Sequence, residues 1–143
     1  MQVVFDTNVY VSALIGSHAP RQLMELWTTT RPFELVVSPA LLIELRDVLH
    51  RTKFRRWFSG DDADILVDRL ESEATSVKDE TLDEQITVDP DDDYLIALGR
   101  AANADAIISG DRDLTDLSDP DPIVLAPTEF LNRLRSTGES PTR

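Results

Sequence analysis

Cysteine is absent from this 143-residue chain, so disulfides, zinc–thiolate sites and thiol nucleophiles are all excluded, and a reducing compartment agrees with that absence. Histidine occurs only at His18 and His50, neither with a partner at metal-ligand spacing. No Gly-x-Ser-x-Gly surrounds Ser12, Ser38 or Ser59, which leaves the serines structural roles. No apolar run approaches the roughly 18 residues that span a bilayer. Met1 leads straight into Val3-Val4-Phe5 without a basic leader, so a soluble, cytoplasmic protein with no membrane association is the expectation. Positive charge is also scarce: 14 basic residues, only two of them lysines (Lys53 and Lys78), face 27 acidic ones for a net charge of −13. Such a balance argues against a surface that coats nucleic acid all over, because phosphate binding needs local positive charge. It agrees with a high-salt cytoplasm, where a negative surface maintains solubility, and equally with a base-composition bias in the genome.

What is present is an alternation of short apolar runs with amphipathic stretches. Gln2 to Phe5 reads as a buried strand that stops at Asp6-Thr7-Asn8. Val9 to Ile15 continues as a helix closed by Gly16, and Ser17-His18-Ala19-Pro20 reads as a loop leading into a helix with Leu23, Leu26 and Trp27 on its apolar face. Phe33 to Val37 is a second strand, after which Ser38-Pro39 opens a helix with Leu41, Leu45, Val48 and Leu49 inward. Gly60-Asp61-Asp62 opens another helix, Ile86 to Val88 reads as a short strand, and a helix begins in the run Asp89 to Asp93. Gly99 inside that helix costs about 1 kcal/mol against alanine, which points to a close neighbour. Ala106 to Ser109 and Ile123 to Leu125 are further strands, Leu114 to Leu117 one turn, and Pro127 to Leu134 a last helix. The fold expected is α/β: one domain over residues 1–135, a three-layer sandwich with a mainly parallel sheet of four or five short strands flanked by helices, and a frayed tail at 136–143.

Carboxylates fall where such a sheet collects ligands, in the crevice beyond its strands' carboxyl ends. Asp6 and Asp111 each follow a strand directly, and Asp89, Asp91, Asp92 and Asp93 exceed what capping one helix requires. Glu44 borders the apolar face of its helix, where a carboxylate needs either a salt-bridge partner, Arg46 or Arg51, or a metal. Several such groups converging without a lysine call for a divalent cation, and oxygen donors alone favour Mg²⁺ or Mn²⁺ over zinc. Helix phase does not choose among Asp91, Asp92 and Asp93. One basic strip stands apart: Arg46, His50, Arg51, Lys53, Arg55, Arg56 and Trp57, with Phe54 and Phe58 interleaved. Cations and aromatics in that mixture suit a single strand of nucleic acid; they also suit a solvated helix end with core aromatics. Trp27 reads as a core residue and Trp57 as one at the surface edge.

Together these residues resemble the motifs of PIN-domain nucleases. They are Asp6-Thr7-Asn8 closing an N-terminal strand, Glu44 in a Ser-Pro-x-Leu-x-x-Glu-Leu setting, Asp93-Tyr-Leu-Ile-Ala, and Ser109-Gly110-Asp111 eighteen residues after Asp93. The branch most similar is that of VapC-type toxins of toxin–antitoxin pairs, over about residues 2 to 125. The resemblance implies a metal-dependent ribonuclease with Asp6, Glu44, Asp93 and Asp111 as catalytic and metal-binding acids and Asp113 as an outer or second-ion ligand. Asn8 and Ser109 would be supporting polar groups, with Mg²⁺ or Mn²⁺ the cofactor. It further implies single-stranded or structured RNA as substrate, an antitoxin protein as partner and a homodimer. The RNA-binding candidates are Arg46, Arg51, Lys53, Arg55, Arg56 and Trp57. Two other readings compete. A binding module of the same fold would hold RNA or protein without cutting it. A phosphoacceptor signalling domain also carries an acidic pocket, but needs a late lysine, and the last here is Lys78.

Overall fold

The computed structural model describes residues 1–80 and 90–138. Among them are five strands: β1 (Gln2–Phe5), β2 (Glu34–Val37), β3 (Thr75–Ser76), β4 (Ala106–Ile108) and β5 (Ile123–Leu125). They form one wholly parallel sheet in the order β3-β2-β1-β4-β5. Parallel strands covered on both faces need continuous apolar runs. β1, β2 and β4 supply them: Val3, Val4, Phe5, Leu35, Val36, Ile107 and Ile108 are fully buried. The edge strand β3 was not anticipated, since Thr75-Ser76 has no apolar signal; backbone pairing to Val36 and Val37 and the bond from the Val77 N–H to the Val37 carbonyl define it. The strand expected at Ile86 to Val88 lies outside the described residues.

Seven α-helices cover the sheet among the described residues: α1 (Thr7–Ile15), α2 (His18–Thr28), α3 (Pro39–Leu49), α4 (Gly60–Glu73), α5 (Pro90–Ala101), α6 (Arg112–Thr115) and α7 (Pro127–Gly138). Their ends follow local chemistry. Gly16, at φ 104°, closes α1 in the left-handed conformation that glycine adopts without strain. The Ser38 hydroxyl accepts the Leu41 N–H at 3.2 Å, with Pro39 in the first helical position. Ser59 and Asp62 exchange bonds of 3.0 and 3.1 Å as a capping box for α4. Several boundaries differ from expectation, among them α6, which starts at Arg112 and not Leu114. His18, expected in a loop, opens α2 with Ser17 as its cap, and α7 continues through Ser136–Gly138 beyond the expected end at Leu134. In α2, Pro20 still lies in the first turn, where its missing N–H costs nothing.

β1 has β2 on one side and β4 on the other, so successive crossovers leave it in opposite directions. Right-handed crossovers then place α1 to α4 against one face and α5 and α6 against the other, giving three layers. An aromatic chain threads the core: Tyr10 to Phe5, Phe5 to Phe33 and Phe33 to Phe130, with ring centroids 5.5, 5.7 and 5.3 Å apart. It ties α1, β1, the approach to β2 and α7 together, each ring pair adding about 0.5–1.5 kcal/mol beyond its burial. Trp27 is fully buried, as expected, with the Arg31 guanidinium 4.3 Å from its ring centroid.

The close approach expected at Gly99 is present. A Cβ there would sit 2.9 Å from Cγ of Pro122 and 3.3 Å from Cδ1 of Ile107, where α5 packs on β4. Gly99→Ala gains about 1 kcal/mol of helix propensity, but forcing a methyl against a rigid ring costs about 1–3 kcal/mol. Overpacking wins on those magnitudes, so the variant is expected to melt several degrees below the wild type in a thermal scan. An unchanged or higher midpoint would show that α5 slides away freely.

Candidate metal centre

The sheet register brings the first two acids together. Phe5 pairs with Ile108, so the chain leaves β1 and β4 at the same level, at the switch point between them. The Asp6 N–H bonds to the Ile108 carbonyl at 2.9 Å, and the Ser109 N–H to Leu125 at 3.0 Å. Asp6 is 8% exposed. It occupies the cap position of α1, and its carboxylate is turned chiefly to three side chains. Ser109 Oγ donates to Oδ2 at 2.8 Å, Asn8 Nδ2 to the same oxygen at 3.1 Å, and Thr7 Oγ1 to Oδ1 at 3.4 Å. Burial raises the pKa of this carboxyl group; the bonds from Ser109, the Asn8 backbone and Thr7 oppose the rise, and the neighbouring charge of Asp111 adds to it.

Ser109, fully buried, links the two strand ends. While donating to Asp6 it accepts the Asp111 N–H at 2.9 Å. Asn8 makes a second link, its Oδ1 accepting the Gly110 N–H at 3.4 Å. Asn8 and Ser109 both bond the Asp6 carboxylate and the turn that carries Asp111. Asp111 in turn caps α6, accepting the Asp113 N–H at 2.9 Å.

Among the described residues one group of acids lies close enough to share an ion. Carboxylate oxygens of Asp92, Asp111 and Asp113 are all within 4.8 Å of one another, grading from buried through half-buried to exposed. Asp92, in the first turn of α5, is 6% exposed. Asp93, the residue singled out on its motif, is half-buried and outside this trio; among the described residues of that run, Asp92 is the acid that lies with Asp111. Asp6 and Glu44 also lie outside the trio, Asp6 being coupled to it through Asp111. Glu44 is half-buried on α3. The arginines suggested for it turn elsewhere, Arg46 to Asp64 and Asp68 and Arg51 to Asp47.

The donor chemistry fits a hard divalent cation. Three carboxylates offer only oxygen, and an octahedral shell with bonds of about 2.0–2.1 Å separates its ligands by up to about 4.2 Å. Unit charges 4–5 Å apart repel by about 3–4 kcal/mol at an effective dielectric of 20, a cost that an ion between them removes. Asp92 would hold such an ion at the buried end, with Asp111 and Asp113 toward the exposed end.

Sequence reasoning missed the frame behind these acids. The Tyr94 hydroxyl lies 3.1 Å from Ser38 Oγ, joining α5 to the cap of α3 across 56 residues of sequence. Burial pushes the Tyr94 hydroxyl pKa above its usual range, with Asp79 and Glu44 adding to the rise and the bond with Ser38 opposing it. Asp79 accepts the Ala40 N–H at 3.0 Å, placing a carboxylate at the positive end of α3. The only sequence signal for this frame is Tyr94 inside an otherwise apolar helix face.

The sequence pattern of the PIN domain matches residues 2–113. No curated protein matches the chain in sequence. Among solved structures the fold is similar to that of PAE2754 from Pyrobaculum aerophilum, with 13% identity, 95% of this chain and 90% of that one covered, and a TM-score of 0.63. It is similar to VapBC2 from Rickettsia felis, solved with a DNA fragment from their promoter (15% identity, 88% and 98% covered, TM-score 0.58). It is also similar to FitAB bound to the IR36 DNA fragment (16% identity, 87% and 94% covered, TM-score 0.50). With the family pattern spanning most of its length and the parallel sheet arranged as described, this chain belongs to the PIN-domain family.

Proposed function

We propose that the chain is a divalent-metal-dependent endoribonuclease, the toxin half of a toxin–antitoxin pair. The observation that carries this reading is the convergence of Asp92, Asp111 and Asp113 beside the buried Asp6, at the sheet's switch point. These are oxygen donors with no cysteine or histidine among them, the set that Mg²⁺ or Mn²⁺ takes. When bound, such an ion supplies Lewis acidity toward the phosphodiester and acidifies the attacking water. The chain's own residues do the positioning. Asp92, Asp111 and Asp113 would hold the ion, with Asp6, fixed by Ser109, Asn8 and Thr7, as the acid behind Asp111, and Glu44 as a further acid from α3. Asp93, next to the trio, is assigned to its rim.

VapBC2 and FitAB, as named, were each solved on DNA fragments, and a partner protein of the antitoxin kind is assigned here by that likeness. The chain offers it an apolar surface. Ile43 is 71% exposed, and with Leu42 and Pro39 it lines an open groove of about 620 Å³ along α3.

Incubation of the purified chain with single-stranded RNA tests the activity. Internal cleavage is expected with Mn²⁺ or Mg²⁺, none in EDTA, and recovery when the ion is restored. Absence of cleavage under all ions, with metal binding intact by calorimetry, would leave a binding module of the PIN fold instead.

A further inference from the structure

The basic strip does not act as one unit. Arg46 and His50 are held by α4: Arg46 reaches Asp64 at 3.4 Å and Asp68 at 3.7 Å, and His50 Nε2 lies 2.7 Å from Asp64. Arg51 keeps only a loose contact of 3.8 Å with the exposed Asp47. Lys53, Arg55 and Arg56, in and just after the 3-10 turn Thr52–Phe54, form no ion pair among the described residues, although the chain carries 27 acids. Aromatic rings hold them instead. Lys53 Nζ is 5.1 Å from the Phe54 ring centroid, the Arg55 guanidinium 5.5 Å from that of Phe58, and the Arg56 guanidinium 4.8 Å from that of Trp57.

A ring quadrupole orients a cation without cancelling its charge. Phe54 and Phe58 are stacked at 5.7 Å with planes 17° apart, and Phe58 is buried, so this support is anchored in the core. Arg55 also donates to the Leu49 carbonyl. Trp57 is different: the residue is 48% exposed, so ring surface that Arg56 does not cover is left in water beside three cations with no ion pair among the described residues. An acidic peptide would use the cations alone. A single strand of RNA uses both features, phosphates on the cations and a base on the indole.

We infer that Arg51 to Phe58 form a docking platform for single-stranded RNA, with Trp57 stacking one base and Lys53, Arg55 and Arg56 pairing with phosphates. This deepens the ribonuclease reading, on which it rests. The platform lies beyond the far end of α3, whose eleven residues span about 16 Å from the cap at Ser38. RNA docked here has to run back along α3 to reach the acids, so the platform selects strands long enough to span both.

Binding of a labelled oligouridylate to the full chain, followed by anisotropy in EDTA, separates docking from cleavage. Trp57→Ala and Arg56→Gln are each expected to weaken binding by about tenfold, Trp57→Phe to retain most of it, and Arg21→Gln, at an exposed pair with Glu25 on α2, to change nothing. Arg56→Gln should also lower the slope of log affinity against log salt by about 0.7, while Trp57→Ala leaves it unchanged. Absence of binding by the wild type, wild-type affinity in both variants, or equal affinity for a duplex of the same length would each overturn the platform. Displacement of RNA by polyglutamate, with binding indifferent to Trp57, would reassign the surface to an acidic protein segment. A chain that binds through Trp57 yet cuts nothing keeps the platform and loses the ribonuclease reading; one that cuts with KM unmoved in both variants loses the platform alone.

Discussion

Asp92→Asn is expected to lower metal-dependent RNA cleavage by about 10²–10³-fold, while Asp93→Asn lowers it less than about tenfold. The contrast follows from helix geometry. Successive residues in an α-helix project about 100° apart, so neighbours cannot aim at one point. In α5 it is Asp92 that is buried and shares the space of Asp111 and Asp113, while Asp93 is half-buried outside that group. Asparagine keeps the shape of either side chain and removes one charge, so both variants should fold, which circular dichroism checks. The Asp92 variant loses an ion ligand, and its Mn²⁺ affinity by calorimetry should fall more than tenfold. A larger loss for Asp93→Asn, in both kcat/KM and Mn²⁺ affinity, would mean that α5 is rotated about one residue from the arrangement described, and the trio would have to be redrawn around Asp93.

That pair of residues also shows where sequence stops being informative. Asp6 and Asp111 were legible because one follows an apolar strand directly and the other after only Ser109 and Gly110, and a parallel sheet delivers such positions to one crevice whatever the rest of the fold does. In the run Asp91 to Asp93 three candidates share one composition, and only the rotational setting of α5 against β1 and β4 separates them. The motif preferred Asp93; packing buried Asp92. Distance in sequence hid the rest. The contact of Ser38 with Tyr94 spans 56 residues and that of Asp79 with Ala40 spans 39, and neither residue type signals its partner. β3 was invisible for another reason: two hydroxyl residues at a sheet edge are paired through their backbones, which carry no side-chain pattern. The basic strip was legible as a patch but not in its parts, because α4 folds back on α3 and its aspartates neutralise Arg46 while leaving Lys53, Arg55 and Arg56 alone.

Asp6→Asn is expected to raise the thermal midpoint of the metal-free protein at neutral pH and to remove cleavage. The carboxyl group of Asp6 has its pKa raised above the ordinary value of 3.8, first by burial and then by the charge of Asp111, against the lowering effect of its bonds to Ser109, the Asn8 backbone and Thr7. A raised pKa means that the group's contribution to stability is fully present below the ordinary carboxyl value and is lost as pH rises through the folded-state value. At neutral pH the ionised group therefore opposes folding. Asparagine is the permanently neutral counterpart, and its hydrogen bonds can be satisfied. Its Oδ1 takes the place of Oδ2 toward Ser109 and Asn8, and its Nδ2 donates to the Thr7 hydroxyl, which reverses its role. The advantage of the variant should shrink as pH falls through the raised folded-state value and be gone below the ordinary carboxyl value of about 4, where the wild-type group is protonated in both folded and unfolded states. Saturating Mn²⁺ should reverse the order: at one hundred times its Kd a ligand adds about 2.7 kcal/mol, and each kcal/mol is worth about 3–4 °C in a chain of this size. The variant, missing one negative charge at the site, gains less. A variant that melts below the wild type in EDTA at neutral pH would mean that the Asp6 carboxylate is net stabilising through its three side-chain partners, a structural anion instead of a destabilised group held ready for an ion.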